Sequence, residues 1–117
     1  TQRMARLVGK SRAIELMASG STFSFEDAEK YGLVNHVFEA EDFDAKVLEY
    51  ARQFVPPAKA SKAVGRIKRS VQSGLEVSFS ESLAIERELQ QQLFTSEDAR
   101  EGLNAYVEKR PPKFSGK

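Results

Sequence analysis

Apolar positions recur along this chain in short helical stripes, each bounded by glycine, proline or a small polar residue. Met4, Leu7 and Val8 share the face of a short first helix that Gly9 stops. Ser11 is placed to cap a second helix carrying Ala13, Ile14, Met17 and Ala18, with Gly20 as its end. Ser24 caps a third, with Glu26 and Asp27 in its first turn, Ala28 and Tyr31 inward, and Gly32 after it. Leu33–Phe38 is the best strand candidate, being β-branched and aromatic, and Ser21–Phe25 is the segment that could pair with it.

The second half has longer stripes. Phe43, Val47, Ala51, Phe54 and Val55 predict an amphipathic helix that Pro56-Pro57 breaks. Ala60, Ala63, Val64, Ile67 and Val71 predict another, ended by Gly74. Phe79, Leu83, Leu89 and Leu93 mark the longest, over Val77–Phe94, and with Met17 and Ile85 they read as core or interface. A terminal helix follows Thr95 or Ser96 as cap. It has Glu97 and Asp98 at its start, Lys109 and Arg110 at its end, and Pro111-Pro112 as its stop. Leu103, Tyr106, Val107 and Arg110 follow one edge of it, and Phe114 lies in a basic tail. The pattern predicts a mainly α fold with at most one short strand or hairpin within 22–38. A lone strand cannot satisfy its own backbone groups, and the short first helix begins abruptly at Thr1. Both point to part of a longer protein.

Charge and composition narrow the function. Eighteen basic against 17 acidic residues leave a net +1, so no global field draws the chain to nucleic acid or membrane. With no cysteine, a disulfide framework, a thiolate zinc site and a cysteine nucleophile are excluded, and with one histidine so is a histidine-rich metal site within one chain. No apolar run approaches the roughly 20 residues of a bilayer span, and the expected setting is intracellular. His36 has no motif partner and reads as structural or exposed. Glu26 and Asp27 read as capping and helix-dipole residues rather than an acid–base pair. The cations Lys59, Lys62, Arg66, Lys68 and Arg69 read as a solvated face. They lack the aromatic residues and folds of a nucleic-acid binder.

Three segments in order resemble the crotonase superfamily, the enoyl-CoA hydratases and isomerases. They are Thr1–Ala13, Gly20–Ala28 with Tyr31–Asn35, and Thr95–Gly102 continuing through Glu108-Lys109-Arg110 to Phe114. The resemblance implies the helical C-terminal region of a crotonase-like fold. Residues 1–38 would be the end of the core, and 39–117 a helical domain for trimerisation and the CoA site. It implies acyl-CoA as substrate, with coenzyme A as part of it and no separate cofactor. It also implies a homo-oligomer, a trimer or dimer of trimers, in the cytoplasm or mitochondrial matrix. The family's catalytic glutamates and oxyanion hole lie upstream of Thr1, so no catalytic residue is assigned here, and this chain alone is expected to be inactive. Tyr106 and Lys109 match the family's CoA-nucleotide positions. An aromatic face can stack on adenine, an ammonium can pair with the 3′-phosphate, and three-residue spacing puts both on one helix face. From the residues alone, Tyr106 simply packs and Lys109 is a solvated helix-end cation. The alternative from another class is an independent, non-catalytic helical module for assembly or partner binding.

Overall fold

The computed structural model describes all residues, 1–117. Seven helices cover 63% of it and no strand forms. The backbone divides into two compact units, Thr1–Phe43 and Asp44–Lys117.

The first unit is built on α1 (Gln2–Val8), α2 (Lys10–Ser19) and α3 (Phe25–Lys30). A single residue joins the first two helices. Gly9 donates its N–H to Ala5 and accepts from Ala13. It takes φ +83, the left-handed region that favours glycine. Ser11 is therefore not the cap of α2: the helix has already begun at Lys10, and Gly9 stands in the cap position without a side-chain bond. Ser24 does cap α3, accepting from the Asp27 N–H at 3.1 Å. Small residues make the contacts that close this unit, since Ala13 and Ala28 are its buried apolar side chains. The Arg12 guanidinium lies 4.6 Å from the centre of the Tyr31 ring, which meets Phe23 edge-on.

Leu33–Phe38 does not become a strand. The Leu33 and Val34 N–H groups both bond back to the Ala28 carbonyl, closing the end of α3, and no second strand offers a ladder. Phe38 packs locally instead, between the His36 and Phe43 rings, while Val34 and Val37 stay exposed. His36 lies 3.8 Å from the Glu29 carboxylate, and both side chains are about half exposed.

The second unit contains α4 (Phe43–Arg52) from its second residue onward, α5 (Ser61–Gly74), α6 (Phe79–Phe94) and α7 (Glu97–Val107). The α4 helix stops three residues before Val55. Gln53 and Phe54 donate to carbonyls only three residues back, which tightens the final turn ahead of the Pro56-Pro57 pair. α5 and α6 form the main helical hairpin. A side chain at Gly74 would place its Cβ 3.2 Å from that of Ser82, so glycine permits the close approach at the hairpin's closed end. α6 opens with a full capping box. The Ser78 hydroxyl serves the Glu81 N–H while the Glu81 carboxylate takes the Ser78 N–H. Leu89 is the buried apolar side chain of α6.

Candidate functional site

The end of α7 and the tail beyond it form the most heavily bonded region of the chain. Ser96 caps the helix, accepting from the Ala99 N–H at 3.1 Å. The buried stripe of α7 is not its apolar one. Asp98 is only 4% exposed and Ala105 1%, with Glu101 and Gly102 half-buried between them. The apolar edge, Leu103, Tyr106 and Val107, faces outward, and Tyr106 is 84% exposed.

The tail covers the polar stripe. The Asp98 carboxylate accepts from the Ser115 N–H at 2.7 Å, the Gly116 N–H at 2.8 Å and the Ser115 hydroxyl at 3.2 Å. The Asp98 N–H in turn bonds the Lys117 carbonyl. Phe114 lays its ring against Gly102, and its N–H donates to the Pro57 carbonyl. Gly116 holds φ +86, and a Cβ there would sit 2.7 Å from the Ser61 hydroxyl, so a side chain at this position would be strained and would have to displace that hydroxyl.

Glu101 is the second anchor. Its two oxygens take the Arg110 guanidinium in a fork, at 2.6 and 2.9 Å, and it also accepts the Lys113 N–H at 2.7 Å. The Arg110 side chain and then the Lys113 backbone hold this carboxyl down from 4.5 to about 2. Arg110 is shared with Glu108 through its Nε, and both carboxylates push the guanidinium's pKa up. A hollow of about 490 Å³ opens beside Glu101, Arg110, Pro111 and Lys113.

Tyr106 and Lys109 lie on the same short segment, but not on one helical face. α7 ends at Val107 with Glu108 as its cap. Lys109 takes a left-handed backbone, φ +54. Its N–H bonds the Tyr106 carbonyl and that of Arg110 bonds the Ala105 carbonyl, the paired pattern that ends many helices. The helical spacing argument therefore does not apply to Lys109, which has left the helix. Arg110 has left it too, and turns back to Glu101 rather than lining the apolar edge.

Elsewhere the paired carboxylates Glu26 and Asp27 have local partners, as a capping and helix-dipole reading expects. Glu26 is held low first by the backbone N–H of its own first turn and then by Ser24. Asp27 is held low first by Lys30 and then by Ser24. No three histidine, cysteine or acidic side chains gather as metal ligands, and no helix is long and apolar enough to cross a membrane. The roles of Asp98 and Glu101 were not visible in the sequence. Their partners lie 9 to 18 residues away, and Asp98, in the first turn of α7, already has a local explanation.

A family profile described as Enoyl-CoA hydratase/isomerase matches residues 1–117. The chain is 37% identical to methylglutaconyl-CoA hydratase, mitochondrial, of Mus musculus, over 99% of its own length and 38% of that protein. The Homo sapiens protein of the same name is also 37% identical, with 35% of its length covered. Among solved structures, the chain is similar to an enoyl-CoA hydratase of Geobacillus kaustophilus, at a TM-score of 0.86 and 42% identity. That match spans 99% of this chain and 43% of the other. An enoyl-CoA hydratase of Bacillus anthracis gives a TM-score of 0.83 at 32% identity, with 99% and 44% covered. The chain thus spans well under half the length of the relatives it matches.

Proposed function

The chain belongs to the enoyl-CoA hydratase/isomerase family, and from that premise we propose that it is the C-terminal part of a protein acting on acyl-CoA thioesters. The observation that carries this is the family match, which extends from residue 1 to residue 117. Residues 1–38 serve as the end of the thioester-holding core. Residues 39–117 complete the CoA site and build a homo-oligomer, a trimer or dimer of trimers. The catalytic glutamates and oxyanion hole belong upstream, so the 117-residue chain performs no hydration or isomerisation by itself. Coenzyme A enters as part of the substrate, in the cytoplasm or, in a eukaryotic source, the mitochondrial matrix.

Tyr106 and Lys109 take the nucleotide end of CoA. The outward, uncovered Tyr106 ring supports a stacking platform for adenine. Lys109 forms no ion pair or side-chain hydrogen bond within the chain, which leaves its ammonium to pair with the 3′-phosphate. Titration of CoA and of 3′-dephospho-CoA into the full encoded protein tests both roles. Tyr106→Ala should weaken both ligands at every salt concentration, by about 1–3 kcal/mol if the ring is a stacking platform. Lys109→Ala should weaken CoA chiefly at low salt and leave the dephospho form nearly unchanged. A Lys109→Ala protein that keeps the wild-type preference between the two ligands would remove Lys109 from the site.

A further inference from the structure

Lys109 occupies a backbone conformation that side chains other than glycine avoid, at φ +54. Such a conformation persists only where its surroundings impose it. Here the two helix-ending bonds, Lys109 to Tyr106 and Arg110 to Ala105, define the turn. The side chain of the next residue then ties the turn to the body of the helix. Arg110 forks onto Glu101, one carboxylate spanning nine residues of sequence, and reaches Glu108 with its remaining nitrogen. Glu101 also receives the Lys113 N–H, which fixes the chain on the far side of Pro111-Pro112. Lys109 is thus held from both sides, while its own side chain stays exposed.

We propose that Glu101 is a positioning residue: acting through Arg110, it fixes the left-handed turn at Lys109 and so aims the lysine ammonium at the phosphate of the CoA nucleotide. This rests on the assignment of Lys109 to CoA made above. The planar, bidentate geometry is what makes the link directional. A lysine at 110 would keep the charge but not the fork.

The electrostatic sign separates positioning from a simple charge effect. Neutralising Glu101 removes a negative group from a basic segment. Through space alone, that change strengthens phosphate binding. Loss of positioning weakens it. The test is titration of CoA and 3′-dephospho-CoA into the full encoded protein, its Glu101→Gln, Arg110→Lys and Lys109→Ala variants, and the Glu101→Gln/Lys109→Ala double variant. Amide exchange at Lys109 and Arg110 is followed in the ligand-free proteins. Glu101→Gln should cut the preference for CoA over its dephospho form roughly three- to tenfold. Arg110→Lys should cut it by a similar factor. Exchange at the two amides should rise in both variants, and the double variant should lose no more preference than Lys109→Ala alone. An unchanged or increased preference in Glu101→Gln, with Lys109→Ala still losing it, overturns the positioning role and leaves Lys109 in the site. A wild-type preference in Lys109→Ala overturns both. Unchanged amide exchange in Glu101→Gln overturns the positioning role whatever the ligands do.

Discussion

Two carboxylates on α7 decide how the end of the chain is held, and they differ in character. Asp98 is buried and serves three donors, two of them backbone N–H groups with no other partner shown. Asp98→Ala leaves those donors unsatisfied, and the cost of such a loss is about 1–3 kcal/mol. Urea unfolding of the full encoded protein should show this, with faster exchange at the Ser115 and Gly116 amides. Equal exchange at both amides would mean that the tail is held by Phe114 rather than by Asp98. Glu101 is an ion-pair anchor with its pKa held at about 2, against an ordinary 4.5. Because the folded value is the lower one, its contribution to stability is present above pH 4.5 and is lost as pH falls toward 2. An acid titration followed at the Lys113 amide should therefore show a loss of protection in that window, and Glu101→Gln should abolish the pH dependence there.

At the scale of elements, stop signals proved more legible than start signals. Gly20, Gly32 and Gly74 stand at or beside the ends of the helices they were expected to close. Ser24 and Ser96 cap as their positions require, because a cap bond reaches only three residues. Ser11 failed as a cap because Gly9 alone turns the chain between two helices. The end of α7 departs from the usual pattern in having lysine where glycine commonly stands. Replacing Lys109 by glycine should relieve the left-handed strain and raise stability by about 0.5–1 kcal/mol, after glycine's extra unfolded-state freedom is set against it. The same change should lose the CoA phosphate preference. Thermal unfolding and ligand titration of one variant therefore read stability and function with opposite signs. A Lys109→Gly protein that is less stable than wild type would mean that the turn is not strained.

At the scale of the whole chain, exposed apolar surface is the dominant fact. Accessible surface totals 9464 Å². Two separate compact bodies of the sizes of the two units would expose about 7,600 Å² by the scaling of folded monomers, so the excess does not depend on how the units are arranged. The buried apolar side chains are Ala13, Ala28, Leu89 and Ala105, three of them alanines, while Phe25, Phe79, Phe94 and Leu103 stand open. Surfaces of this kind mark contact with further protein. The purified 117-residue chain should therefore sediment as dimers, trimers or larger species. Leu103→Ser with Val107→Ser, which makes two of the three positions on the open edge of α7 polar, should shift it toward smaller ones. A compact monomer at high concentration would show that these faces need no partner.

The periodicity of the sequence by itself determined that the chain is helical and where most helices break, because capping, proline and glycine act within a few residues. The resemblance of its segments in order was enough to name the family, since it depends on residue types and spacing rather than on packing. Tertiary structure alone decided which faces are covered. The sequence marks Leu103, Tyr106 and Val107 as a stripe, but not whether that stripe is inside or outside. It shows Asp98 and Glu101 as acids near a helix start, but not that a tail 9 to 18 residues away folds back onto them. It also places Lys109 three residues after Tyr106, which implies a shared face only while the helix continues. The turn at Glu108 ends that helix, and a left-handed backbone at one residue is set by contacts across space rather than by local propensity.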